Sequence, residues 1–279
     1  MNDSYINALN IQSSAKGWMD ATVENMVNLY TPGYRENKVT FKTFLDSAYT
    51  DGHLKNLGQG KAIPGTSTEN VYLEGNGYFV IRKDDGSLAY TRLGEFKFDG
   101  EGVYKAADGS KVQGYTLNDK GEIMSGTKAL TEDDFKSTLE EGGAMKVPTT
   151  EIKLWIDPDN GKYLGKYDEY EIKEDGVLYG KTKGGKETKT PLFKIAAMNF
   201  NNAQGLYEIA PGQFVETEES GRPTIGKGEI RSGLIELSNI DFKANITYYK
   251  EAKMQLELSN KLMQSYSQLL QTAMGLLQG

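Results

Sequence analysis

The chain has 279 residues, 32 lysines and arginines against 39 aspartates and glutamates, a formal charge of −7 and no cysteine. That length can bury one large or two modest cores, and the acidic balance argues against nucleic-acid backbones and anionic membranes as partners. Without cysteine there are no disulfides, thiolate metal sites or cysteine nucleophiles, and no apolar run approaches the roughly 20 residues of a membrane span.

The opening stretch reads as a helix ending at Tyr30. Ala8, Ile11, Ala15, Trp18, Thr22 and Leu29 keep the alternating three- and four-residue steps of a coiled-coil seam, with Met26 beside them. Thr31-Pro32-Gly33 stops it, because proline removes a backbone donor and glycine accepts positive φ. No positively charged stretch leads into an apolar one before this helix, so a cleaved secretory signal is not expected. The pattern from Val39 to Leu45 is short and ambiguous, and we take residues 1–45 as an assembly helix with its following segment. Residues 46–70 are polar and glycine-punctuated and read as an extended loop or arm. His53, the sole histidine, falls there, with no second histidine to complete a metal site and an exposed side chain expected.

From Val71 the apolar rhythm changes to period two, with turns at Asp84-Asp85-Gly86, Asp99-Gly100, Asp108-Gly109 and Asp119-Lys120-Gly121. Strands at this spacing with Asp-Gly punctuation indicate antiparallel hairpins. We read 71–237 as one β-rich domain with a possible insertion at 127–190, which includes a short helix at Thr131–Glu141 signalled by a cap-like Thr131-Glu132-Asp133-Asp134. Residues 238–279 read as one long helix introduced by Ser238-Asn239-Ile240-Asp241. Ile246, Tyr249, Leu256, Met263, Leu270 and Leu277 form its seam, which Lys253, Asn260 and Ser267 interrupt. The expected fold is mainly β with long terminal α-helices: a β-rich centre plus a coiled-coil-like assembly layer made by the two ends. Either helix alone exposes an apolar stripe, so each needs a partner in the same chain or in neighbouring copies.

Motifs for chemistry fail in detail. Gly75-Asn76-Gly77 opens onto a strand and lacks the helix dipole that binds phosphate. Residues 180–186 fit the spacing of a P-loop up to Lys186, but Glu187 stands where a Mg²⁺-binding hydroxyl belongs and Pro191 disfavours the helix that should follow. Asp157-Pro158-Asp159-Asn160-Gly161 starts like a Ca²⁺ loop, yet the sixth position is Lys162 and the twelfth Asp168, so an Asx turn reads better. Carboxylate pairs such as Glu216 with Glu218 or Glu140 with Glu141 leave a glycosidase conceivable and unsupported. No catalytic residue, cofactor site or metal site is expected.

Three segments carry a resemblance. Asn25-Met26-Val27-Asn28-Leu29-Tyr30-Thr31-Pro32-Gly33-Tyr34-Arg35, then Leu73-Glu74-Gly75-Asn76-Gly77-Tyr78-Phe79 with Tyr90-Thr91-Arg92-Leu93-Gly94-Glu95-Phe96 and Gln113-Gly114-Tyr115, and finally Ser238-Asn239-Ile240-Asp241, are similar in order and type to segments of the bacterial flagellar axial family of rod and hook subunits. The closing helix departs at Lys253-Met254-Gln255-Leu256-Glu257 and returns at Lys261, Gln268, Leu270 and Gln271. The resemblance implies a structural rod subunit, distal or proximal, favoured by length because hook proteins are typically longer, with a hook subunit as the alternative. It implies polymerisation through the terminal helices at Ile11, Trp18, Asn25, Met26, Asn28, Leu29, Leu256, Met263, Leu270 and Leu277, in contact with further copies, other rod and hook subunits, ring proteins and the export apparatus, and with neither nucleic acid nor membrane insertion. It also implies a place in the periplasm-spanning basal body, reached through flagellar type III export without cleavage. Readings from other classes are a cell-wall glycan hydrolase and a surface adhesin.

Overall fold

The computed structural model describes residues 2–44, 47–125, 128–129, 149–154, 167, 169–182, 188–226 and 228–278, except the side chains of 2–4, 40–53, 125, 128, 188, 277 and 278. The chain divides into two compact units, one of residues 1–30, 35–58 and 239–279 and the other of 31–34 and 59–238.

The first unit holds helix α1 (Asn2–Val27), a hairpin of β1 (Asn37–Phe44) and β2 (Ser47–Lys55), and helix α2 (Phe242–Gln278). Strand β2 occupies 47–55 of the stretch expected to be an extended loop or arm. It carries a bulge at Asp51: the pairing steps from Thr40↔Gly52 to Phe41↔Thr50, leaving Asp51 as the extra residue. A bulge keeps a strand continuous while breaking its alternation, which hides it from a period-two reading. His53 is also placed differently, in the ladder opposite Val39 rather than in a loop.

The second unit is the β body. In chain order its strands are β3 (Ala62–Pro64), β4 (Val71–Glu74), β5 (Tyr78–Arg82), β6 (Leu88–Thr91), β7 (Phe96–Phe98), β8 (Tyr104–Ala106), β9 (Lys111–Thr116), β10 (Met124–Ser125), β11 (Lys128–Ala129), β12 (Thr150–Glu151), β13 (Glu169–Ile172), β14 (Val177–Thr182), β15 (Thr188–Ile195), β16 (Ala197–Asn199), β17 (Tyr207–Ala210), β18 (Gln213–Val215), β19 (Thr224–Ile225), β20 (Glu229–Ser232) and β21 (Leu234–Glu236). The main sheet runs β13-β14-β15-β9-β5-β6-β18-β17, and its described pairings are antiparallel. Strand β5 is buried on both faces. Phe79 and Ile81 join Val71, Leu73, Phe96, Tyr104 and Val112 in one cluster, while Tyr78 and Val80 join Tyr90, Met198, Phe200 and Phe214 in the other.

Within 127–190, β11 pairs only with β10, but β12 pairs with β9, β13 to β15 extend the main sheet, and Ile152, Leu154, Ile172 and Leu178 enter its core. Thr131–Glu141, the Asp157–Gly161 motif and most of the P-loop-like tip lie outside the described residues.

The punctuated stretches share one repeated turn, although at 99–103 its glycine is Gly102 and not the expected Gly100. At 83–87, Lys83 N donates to Ser87 O at 2.9 Å and Gly86 N to Lys83 O at 2.9 Å, and the same two bonds recur at 99–103, 106–110, 118–122 and 173–177. The fourth residue is each time a glycine with φ between 71° and 87°, where an L side chain is strained. Hydrogen bonds from the Ser87 hydroxyl and backbone hold the Asp85 carboxyl below its ordinary range.

The incoming and outgoing segments run side by side, β4 against β20 and β3 against β21. Gly94 lies where β4 starts. Its O accepts from Val71 N at 2.9 Å, and a Cβ there would stand 1.7 Å from Val71 O. Gly94→Ala is therefore expected to destabilise the β body by about 1–3 kcal/mol, the usual range for overpacking. Thermal unfolding measures it, and an unchanged midpoint would contradict the close approach.

Candidate assembly interface

Helix α2 begins at a built cap. The Asp241 carboxylate accepts from Lys243 N at 3.0 Å and Ala244 N at 3.2 Å, satisfying donors that an uncapped first turn leaves free. The helix then runs antiparallel to α1, as three contacts establish: Asn25 Nδ2 donates to Asn245 Oδ1 at 3.0 Å, the Trp18 and Tyr248 rings lie 6.0 Å apart, and Ser259 Oγ donates to Ala8 O at 2.6 Å. Near the same end Gln12 Nε2 donates to Asn260 Oδ1 at 2.6 Å.

Helix α1 ends at Val27, short of the expected Tyr30, so Leu29 of the expected stripe lies past it. Ala8, Ala15, Thr22 and Asn25 are buried, with Ile11 and Trp18 partly covered. On α2 one seam line falls where expected, at Tyr249, Leu256 and Met263. The other is corrected: the covered residues are Asn245, Ala252, Ser259 and Tyr266, one position before Ile246, Lys253, Asn260 and Ser267. Nothing interrupts the stripe. Its second line consists of small and polar residues, which let the helices approach closely but do not register as apolar periodicity.

At the end of the pair where α2 begins, a polar cluster closes the unit. Besides Asn245, Asn25 Nδ2 reaches Asn37 O at 2.8 Å, and Asn25 Oδ1 accepts from Asn37 N at 2.8 Å. Asn245 Nδ2 donates to Glu36 Oε1 at 2.7 Å, and Asn56 Nδ2 to Glu36 Oε2 at 2.8 Å. Asn239 accepts from Glu36 N at 2.8 Å and donates to Asn56 O at 2.7 Å. Glu36, Asn25 and Asn245 are all buried. The asparagines of the opening and closing motifs are thus one network across 220 residues of sequence.

Several large apolar side chains of the pair are exposed: Val27 at the end of α1, Tyr30 just past it, and Met254, Leu258 and Leu262 on α2. With Ala8 opposite Ser259, residues 266–278 run on past the start of α1, about 20 Å of helix at 1.5 Å per residue. There Leu269 is 64%, Leu270 50%, Met274 54% and Leu276 80% exposed. The residues singled out from sequence therefore separate. Ile11, Trp18, Asn25, Leu256 and Met263 belong to the pairing of α1 with α2, Met26, Asn28 and Leu29 are partly exposed at the end of α1, and Leu270 is on the projecting segment. Leu277 is in the last turns of α2, its side chain outside the described residues. The leucine line 262, 269 and 276 was missed, although its heptad spacing is legible beside the seam.

In the β body the family-like segments meet at Arg92. This buried guanidinium donates to Leu73 O at 2.7 Å and to Gly75 O, and pairs with Glu236 Oε2 at 3.3 Å. Glu236 Oε1 accepts from Gly60 N at 2.7 Å, and Glu236 O accepts from Gly33 N at 2.8 Å. Gly33 has φ +66°, and a Cβ on it would meet the Arg92 backbone at 2.8 Å. A shallow cleft is lined by Asn76, Asn199, Thr224 and Arg231, but Arg231 is paired with Glu74 at 2.6 Å. Among the described residues no three potential metal ligands cluster, and no helix is long and apolar enough to cross a membrane.

The chain is thus a β body whose first and last strands are paired, joined in sequence to a helix pair that leaves large apolar side chains exposed. Comparison with known proteins points to a family. Residues 72–180 match the family model described as the flagellar hook protein FlgE/F/G D1 domain. The flagellar basal-body rod protein FlgG of Bacillus subtilis is 25% identical over 92% of both chains, and that of Caulobacter vibrioides 23% over 88% of both. The flagellar hook protein FlgE of Borreliella burgdorferi is 33% identical over 40% of this chain and 26% of its own. The crystal structure of the Helicobacter pylori flagellar hook protein FlgE2 aligns with 62% of this chain and 100% of that chain at a TM-score of 0.40 and 12% identity. Over nearly its whole length the chain is thus similar to flagellar rod and hook axial proteins.

Proposed function

We propose that this chain is a subunit of the flagellar rod. It polymerises helically and passes torque along the axis to the hook. The observation that carries this reading is the alignment with rod proteins along nine-tenths of both chains at 25% identity, in a chain of similar length, whereas the hook protein of Rhizobium meliloti aligns over 97% of both chains at 21%. The exposed apolar residues of the helix pair and the projecting end of α2 meet neighbouring copies. Burial is worth roughly 1.5–3 kcal/mol for each large apolar side chain, so a few such residues per contact suffice to hold a polymer. Other rod and hook subunits adjoin it along the axis, ring proteins surround it, and the flagellar export apparatus delivers it uncleaved to the periplasm-spanning basal body.

The purified chain is expected to form rod-like filaments in electron micrographs as its concentration is raised, and a strain lacking it to be non-motile. Monodisperse protein at every concentration, together with normal motility of that strain, would end the proposal.

A further inference from the structure

The line of small residues in the seam between α1 and α2 repeats, so it does not by itself select a register. Ala8, Ala15 and Thr22 recur every seven residues on one helix, and Asn245, Ala252, Ser259 and Tyr266 on the other. Sliding α2 by one heptad sets Ala8 against Ala252, small against small, at the cost of the Trp18–Tyr248 ring contact and of overlap at the end of α1. The same slide carries Asn245 away from Asn25 and from Glu36, leaving buried amide and carboxylate groups without the partners they now hold at 3.0 and 2.7 Å. An unpaired buried polar group costs about 1–3 kcal/mol, more when charged, and a single buried asparagine is known to fix register in helical pairs.

We infer that the cluster of Asn25, Asn245 and Glu36 is the register lock of the helix pair. It sets how far α2 projects. A slip of one heptad changes the projecting length by about 10 Å, because each residue advances the helix 1.5 Å. Asn239 and Asn56 complete the lock by gripping Glu36 from α2's leading segment and from the end of β2, so the hairpin's point of departure is fixed along with the register. The register is a property of the single chain. Only its consequence for polymer geometry rests on the proposed function.

The absence of cysteine allows a direct test by engineered disulfides in the full-length chain. Ala8→Cys with Ser259→Cys reports the observed register, and Ala8→Cys with Ala252→Cys reports a slip of one heptad. In the otherwise native chain the first pair should oxidise and the second should not. With Asn25→Leu and Asn245→Leu added, the slipped disulfide should rise to a yield comparable with the native one. Asn25→Ala with Asn245→Ala carries the same test if leucines keep the helices from pairing. A native disulfide alone in either substituted background overturns the lock. Loss of both disulfides in both backgrounds overturns it too, by showing that the cluster holds the pair together instead of choosing its register. Because the disulfides form in the monomer, failure of the register and failure of rod assembly are read separately.

Discussion

Leu269→Glu combined with Leu276→Glu is expected to abolish filament formation and motility while leaving thermal unfolding of the chain within about 0.5 kcal/mol of the original. Both side chains are more than half exposed, on the part of α2 that has passed the start of α1, so within one chain neither has much contact to lose. If neighbouring copies cover them in the rod, each substitution places a carboxylate in an apolar contact, at a cost of several kcal/mol unless it is paired. That cost repeats in every subunit. Met263→Glu supplies the contrast. Its side chain lies on the seam with α1, so it should loosen the helix pair of the isolated chain as well as block assembly. Electron microscopy and a swimming assay read the assembly arm, and calorimetry reads the folding arm. Normal filaments from the double leucine variant would remove the projecting segment from the interface.

The division between what the sequence discloses and what it conceals follows the physics of each contact. Period and caps are local, so both helices, the Asp241 cap and the Asp-Gly hairpins of the β body are legible. One seam line of α2 is legible for the same reason, since Tyr249, Leu256 and Met263 are large and apolar. The other is not, because Ala252 and Ser259 pack by being small, and a reading that counts apolar residues passes to Lys253 and Asn260 instead. Strand β2 is concealed by its bulge at Asp51, because a partner strand and not its own alternation holds it in place. Asn25 stands out in sequence only as part of a motif. What it does depends on Asn245 and Glu36, and no spacing rule connects those positions.

Arg92 and Glu236 are concealed in the same way, 144 residues apart, and breaking their ion pair carries the largest expected effect on folding. Glu236→Leu leaves the guanidinium of Arg92 buried and uncompensated, and also takes away the acceptor of Gly60 N. Removing one partner of a buried pair typically costs 3–5 kcal/mol, which for a chain of this size corresponds to about 10 °C in unfolding midpoint. The companion variant separates charge from packing. With Arg92→Met added to Glu236→Leu, no charge is stranded and part of the loss should return. Recovery should stay incomplete, because the carbonyls of Leu73 and Gly75 then lose the donor that Arg92 supplies. The pair also joins the strand that leads into the body, near β4, to the one that leads out, at β21, so its loss should expose this part of the β body to protease well before the main sheet opens. A loss under about 1 kcal/mol for Glu236→Leu, well below the range for a broken buried pair, would mean that the body tolerates the open charge and that the paired strands are held by their backbone ladders alone.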